Sequence, residues 1–90
     1  MQKFRIRDSV VTQSDDDLFI VYDAETGAIL ELNETAFSIV TFCSEERSFD
    51  DLCSMLKLRF SNTQKDNQIQ LDLADVMKML VSNRILSAYP

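Results

Sequence analysis

The sequence contains no histidine, and its two cysteines, Cys43 and Cys53, are too few to form a zinc site by themselves. Without histidine no Ser–His–Asp arrangement is possible, and a single glycine leaves no glycine-rich phosphate loop. The sequence therefore predicts no cofactor, no metal site and no enzyme activity. We expect its function to reside in a binding surface.

Basic residues are also scarce, since nine Lys and Arg stand against 15 Asp and Glu, for a formal net charge of −6. Nucleic acids are bound largely through neutralisation of phosphates, so this charge disfavours nucleic acid and anionic membranes as partners. No apolar run approaches the roughly 18 residues of a membrane span, and the first residues are too polar for a signal peptide. We therefore expect a cytoplasmic protein with reduced, buried cysteines.

The composition that remains is typical of an ordered domain. Hydrophobic residues make up 46% of the 90 positions, while one Gly and one Pro leave little material for long irregular loops. We expect residues 1–90 to form a single domain, which at this size buries roughly 60–65% of its unfolded surface.

Hydrophobic alternation predicts three strands in the first third of the chain. Residues 3–12 alternate with period two, and the polar residues 13–17 that follow indicate a hairpin loop. Residues 18–22 are apolar at every position, which indicates either a strand covered on both faces or the central strand of a small sheet. Gly27 then predicts a turn with a positive φ.

The third strand is predicted at residues 28–32, where Leu30 and Leu32 share one face and Ile29 and Glu31 share the other. Short connections predict an antiparallel three-stranded meander. Because residues 18–22 are the most apolar, we expect them in the middle, with residues 28–32 at an edge of the sheet.

Three helices are predicted after the strands. Asn33 is a suitable N-cap for a first helix ending near Ser44, and Ser48 with Asp51 resembles a capping box for a second. Met55 and Leu58 fall off the apolar stripe of that second helix, as peripheral core or as a small exposed patch. A polar stretch at residues 61–68 predicts a flexible loop.

The third helix is predicted to begin at Asp72, as its cap, and to end at Asn83, as a left-handed C′ residue. Residues 85–89 are expected to pack as a short terminal segment. The predicted fold class is α+β, with a three-stranded antiparallel sheet followed by three helices.

This order of elements, with its junction sequences, resembles the PqqD family, whose small winged helix-turn-helix domains are also called RiPP recognition elements. The most family-like segment is the strand-to-helix junction LNETA at residues 32–36, which matches the pattern LN-x-[ST]-A. The other matching residues are Phe49, Leu52, Leu56, Asp75, Val76, Ile85 and Leu86. The chain departs from the family where Glu45 and Glu46 end the first helix and where Asn83 ends the last, since Gly is usual at both places.

The resemblance implies a function. Such domains bind the leader segment of a ribosomally made precursor peptide, which adds as a strand beside the third strand and fills the groove between that strand and the third helix. They deliver the precursor to a modifying enzyme, such as a radical SAM enzyme, a cyclodehydratase or a leader protease. The expected peptide-binding residues are Ala28, Ile29, Leu30, Glu31 and Leu32 of the strand, and Asp72, Val76, Met79, Leu80 and Asn83 of the helix.

Within that set, Ile29, Val76, Met79 and Leu80 are expected to line the groove, although Val76 and Leu80 also fit core positions of the third helix. Glu31, Asp72 and Asn83 are expected to make polar contacts at the rim. Two alternatives stay open: a winged-helix DNA-binding protein, and a scaffold or regulatory subunit of a biosynthetic enzyme that binds no leader. An open strand edge also allows a homodimer.

Overall fold

The computed structural model describes residues 2–60 and 66–90, and for residues 66–71 it describes the backbone alone. The elements in this part of the chain follow in the order β1 (Lys3–Ile6), β2 (Val10–Asp15), β3 (Leu18–Asp23), β4 (Ile29–Leu32), α1 (Glu34–Phe42), β5 (Arg47–Ser48), α2 (Phe49–Phe60), α3 (Asp66–Ser82) and β6 (Leu86–Tyr89).

The predicted three-stranded meander is confirmed as the antiparallel sheet β2-β3-β4. Its central strand is β3, in which Val21 lies opposite Thr12 on one side and Leu30 on the other. The connection from β2 to β3 is tight, with Asp16 at a φ of 52°. Gly27 has a φ of 78° in the turn before β4, as expected.

The prediction of one strand over residues 3–12 is wrong. The chain turns at residues 7–9, where the Val10 N–H donates to the Arg7 carbonyl at 3.0 Å. β1 therefore belongs to a second antiparallel sheet of order β5-β1-β6, in which the terminal segment of the sequence is a strand. A period-two pattern continues across a turn when the polar and apolar residues stay in phase, so it does not reveal the change of sheet.

The first two helices begin at the predicted caps. Asn33 Oδ1 accepts a hydrogen bond from the Ala36 N–H at 2.8 Å. Before α2, the Ser48 N–H donates to Asp51 Oδ2 and the Asp51 N–H donates to Ser48 Oγ, each at 3.1 Å, which completes a capping box with Asp in place of Glu. The bond from the Ser48 backbone is the main reason that the pKa of Asp51 lies below its usual value.

The third helix differs from the prediction at both ends. α3 begins at Asp66, so Asp72 lies inside the helix and is not its cap. The predicted loop at residues 61–68 is helical from residue 66 onward, and its residues 61–65 lie outside the described residues.

At the C-terminus of α3 the left-handed residue is Arg84, with a φ of 61°, and not Asn83. The Ile85 N–H donates to the Leu80 carbonyl and the Arg84 N–H donates to the Val81 carbonyl. These two bonds form a Schellman motif with Arg84 as its C′ residue. Asn83 instead donates its side-chain amide to the Met79 carbonyl at 2.8 Å.

The core lies between the three helices and the inner faces of the two sheets. Its fully buried large side chains are Ile39, Val40, Cys43, Leu52, Leu73, Leu80 and Leu86. Burial raises the pKa of the Cys43 thiol to about 12, and also raises that of Cys53, so both buried cysteines remain protonated thiols. None of the helices in the described ranges combines the length and the hydrophobicity of a membrane span.

Candidate functional site

The strand β4 lies at an edge of the sheet β2-β3-β4, which makes its backbone the first feature to consider. In an antiparallel pair, hydrogen-bonded and non-hydrogen-bonded residue pairs alternate. The Asp23 N–H donates to the Ala28 carbonyl at 2.9 Å, which fixes the phase of this alternation. By the register that follows, Leu30 and Leu32 exchange hydrogen bonds with β3.

The backbone groups of Ile29 and Glu31 therefore point away from β3, toward the outer side of β4. Within residues 2–60 and 66–90, no other strand pairs with that side. The edge thus presents an alternating row of backbone donors and acceptors to a further extended chain.

The side chains of β4 divide between the two faces of the sheet. Leu32 is buried and Leu30 is half-buried against the core, whereas Ile29 and Glu31 are exposed on the outer face. Ile29 also borders the pocket described next, so its place in the groove stays a prediction. The period of two turns its side chain to the outer face, with 68% of its surface exposed.

A pocket joins the start of β4 to the C-terminal end of α3, and we call it the Leu30 pocket. It is lined by Val10, Val21, Tyr22, Asp23, Ala28, Ile29, Leu30, Asn83, Arg84 and Ile85. The predicted site residues Ala28, Ile29, Leu30 and Asn83 therefore meet here. The pocket floor is apolar because Val21 and Ile85 belong to the core.

A second pocket joins the residues after β4 to the middle of α3, and we call it the Val76 pocket. It is lined by Asn33, Thr35, Asp72, Asp75 and Val76. Since the start of β4 lies near the end of α3, and its end near the middle of α3, strand and helix run in opposite directions. Both pockets lie between α3 or the residues that follow it and the segment 28–35, which contains β4, and we call this region the groove.

The charged side chains of the groove are unequally distributed. Asp72 and Asp75 lie at the Val76 pocket, whereas Arg84 lies at the Leu30 pocket beside Asn83. Asp23 also borders the Leu30 pocket, and its pKa is lowered, mainly by a hydrogen bond from the Glu25 N–H. A peptide in the groove would therefore meet two carboxylates at one end and charges of both signs at the other.

Four predicted residues do not line either pocket. Leu32 and Leu80 are buried in the core, and Leu80 has no exposed surface, so it supports the groove from beneath. Met79 is half-buried and packs against the core, while Glu31 is exposed on the outer face of the sheet.

Sequence reasoning missed Arg84 and Thr35 as groove residues, and it gave Asn33 only as a helix cap and Asp75 only as a family-matching residue. Asn33 performs both roles, since it caps α1 and also lines the Val76 pocket. The signal for Arg84 was its position directly after Asn83, the residue expected to end α3.

The fold and this groove define a class of protein: a small α+β domain with an open strand edge beside a helix. The sequence pattern of the family described as "Coenzyme PQQ synthesis protein D (PqqD)" matches residues 19–86, which include β4, the groove and most of the core. The chain therefore belongs to the PqqD family.

Two solved structures resemble the chain along nearly its whole length. One, "TbiB1 in Complex with the TbiA(beta) Leader Peptide", has a TM-score of 0.78 at 20% identity and covers 96% of this chain and 98% of its own. The other, "Lasso peptide synthetase B1 complexed with the leader peptide", has a TM-score of 0.73 at 25% identity and covers 97% and 98%. No curated protein matches the chain.

Proposed function

We propose that the protein binds the leader segment of a ribosomally synthesised precursor peptide and delivers it to a modifying enzyme. The leader adds as a fourth strand to the sheet β2-β3-β4, along the outer side of β4. In this proposal the protein is a peptide-binding partner and not itself a catalyst.

The observation that carries the proposal is the open edge of β4. The N–H and C=O groups of Ile29 and Glu31 point outward in the alternation that an incoming strand requires. Strand addition through such groups gives affinity with little demand on sequence, and pockets for alternate side chains supply selectivity.

The groove beside that edge supports the same conclusion. A leader strand along β4 directs every second side chain toward α3, where the Leu30 pocket and the Val76 pocket lie one after the other. Asp75 favours a basic leader residue at the Val76 pocket. Both of the similar solved structures are complexes with leader peptides, which adds to this argument.

The partner that follows is an enzyme acting on the bound precursor, such as a radical SAM enzyme, a cyclodehydratase or a leader protease. We propose the cytoplasm as the location, because the precursor is made there by the ribosome. The modifying enzyme would act on the core segment, which this mode of binding leaves outside the groove.

The experiment uses fluorescein-labelled synthetic peptides that cover the leader halves of short precursor genes neighbouring this gene. We expect at least one to raise its fluorescence anisotropy saturably with the wild-type protein. Glu31→Pro removes an outward N–H, so we expect it to weaken that binding at least tenfold.

The matched control is Glu31→Ala, which removes the same side chain but keeps the N–H. Circular dichroism and the urea midpoint establish that both variants are folded. If Glu31→Pro, folded, binds the peptide as well as Glu31→Ala does, the leader does not dock along β4. If no neighbouring leader binds the wild-type protein, the proposed function is wrong.

A further inference from the structure

The outer face of the sheet β2-β3-β4 carries a row of exposed apolar side chains that ends at the β4 edge. The register places Val11 opposite Tyr22, and Tyr22 opposite Ile29. Their exposed fractions are 55%, 41% and 68%. Because they lie opposite one another on neighbouring strands, the three side chains form one continuous row across the sheet.

A second row on the same face is more polar and ends in a carboxylate. Gln13 lies opposite Ile20, and Ile20 opposite Glu31. Glu31 is exposed and forms no ion pair within the part of the chain that the structure describes. At the open edge, the apolar row therefore ends at Ile29, and the more polar row ends beside it at the carboxylate of Glu31.

We propose that a bound leader is recognised on both faces of the sheet, with Ile29 and Glu31 selecting residues on the outer face. An added strand places one residue opposite Ile29 and another opposite Glu31, and these two leader residues are two positions apart. The first is β-branched or aromatic and extends the apolar row, while the second is Lys or Arg and pairs with Glu31. This inference rests on the proposed function and specifies its substrate.

The order of the two leader residues depends on strand direction. In an antiparallel leader the basic residue precedes the apolar one, and in a parallel leader it follows. The leader residue between them faces the groove and α3. Of three consecutive leader residues, the first and third therefore contact the outer face, and the second contacts the groove. Each outer contact is a cross-strand pair, for which we expect a two- to fivefold effect on the dissociation constant.

The test uses a phage-displayed library of random 12-residue peptides as the probe, selected on the wild-type protein. Selected clones are kept when Glu31→Pro weakens them at least tenfold, so that they depend on the β4 edge. We expect these clones to share a Lys or Arg two positions from a Val, Ile, Tyr or Phe. The same library is then selected on Glu31→Lys, where we expect Asp or Glu at the charged position and an unchanged apolar position.

Ile29→Thr keeps the β-branch but removes the apolar end of the first row, so we expect it to relax the apolar preference and keep the basic one. The control for Glu31→Lys is Gln13→Lys, which adds positive charge to the second row, that of Ile20 and Glu31, at the opposite edge of the sheet. We expect Gln13→Lys to leave the selected pattern as in the wild type, because Gln13 lies on β2 and does not face the added strand.

The two proposals fail in different ways. Edge-dependent peptides that show the same charge preference on the wild type and on Glu31→Lys would overturn outer-face recognition and leave strand addition intact. A selection that yields no clone sensitive to Glu31→Pro contradicts strand addition itself, and outer-face recognition fails with it.

Discussion

The sheet β2-β3-β4 has two edges, and both present backbone groups that no strand within the described residues covers. On β2 the Ala24 N–H donates to the Ser9 carbonyl at 2.8 Å, and the register from there turns the backbone groups of Thr12 and Ser14 outward. On β4 the corresponding groups belong to Ile29 and Glu31. The two edges are therefore similar in what their backbones offer.

They differ in what lies beside them. β4 borders a groove whose second wall is α3, with an apolar floor. β2 carries the exposed polar residues Gln13, Ser14 and Asp15, and its hairpin continues into two further aspartates. Polar and charged residues protect an edge against unwanted pairing. An open edge therefore becomes a selective binding site through the residues beside it, not through its backbone alone.

The largest expected effect is on the free energy of unfolding, when a core side chain of α3 beneath the groove is truncated. Leu80→Ala leaves a cavity beneath the groove where a fully buried side chain was, and we expect it to lower the free energy of unfolding by about 2–5 kcal/mol. Val11→Ala, on the exposed face of β2, is the matched control and should change it by less than about 0.5 kcal/mol. Urea denaturation measures both, and equal losses would contradict the placement of Leu80 in the core.

The second prediction tests the alternation along β4. Leu30→Pro removes a hydrogen bond to β3 and should cost about 2 kcal/mol of unfolding free energy. Glu31→Pro removes an N–H that faces outward, where proline is tolerated, and should cost less than half as much. The urea midpoints of the two variants give the answer, and the opposite order would show that the phase of the strand is reversed.

The third prediction compares the two edges directly. Thr12→Pro removes an outward N–H from β2, as Glu31→Pro does from β4. We expect leader binding to weaken at least tenfold with Glu31→Pro and less than twofold with Thr12→Pro, measured by fluorescence anisotropy. Loss of binding in Thr12→Pro, with circular dichroism unchanged, would move the docking edge to β2.

The smallest effect is expected at the C-terminal end of α3. Arg84 adopts a left-handed conformation that costs a non-glycine residue about 1 kcal/mol, so Arg84→Gly should raise the free energy of unfolding by up to that amount. Thermal unfolding measures this change. Asn83→Gly is the control, because Asn83 lacks a positive φ; if it stabilises as much as Arg84→Gly, the Schellman motif is misplaced by one residue.

Much of the fold follows from local signals in the sequence. The caps at Asn33 and Ser48, the turn at Gly27 and the order of β2, β3 and β4 depend on neighbouring residues, and the structure confirms each of them. The edge position of β4 also followed, because the most apolar strand belongs in the middle of a sheet.

The remaining features depend on distant parts of the chain. The division of residues 3–12 between two sheets requires β5 and β6, which lie far along the sequence. The phase of β4, which exposes the Ile29 side chain on the outer face of the sheet, depends on its register with β3. Arg84, and not Asn83, adopts the left-handed conformation because the Asn83 side-chain amide donates to the Met79 carbonyl. The identity of residue 83 alone does not reveal this hydrogen bond.

The pairing of β1 with β6 brings together residues near opposite ends of the sequence, such as Lys3 and Tyr89. The Arg7 N–H also donates to the Ile85 carbonyl, directly after α3. Contacts between distant residues form slowly during folding, whereas hairpins such as β3-β4 form quickly from adjacent segments. The β4 edge of the groove therefore depends on contacts between neighbouring residues. The orientation of α3 depends in addition on the pairing of β1 with β6.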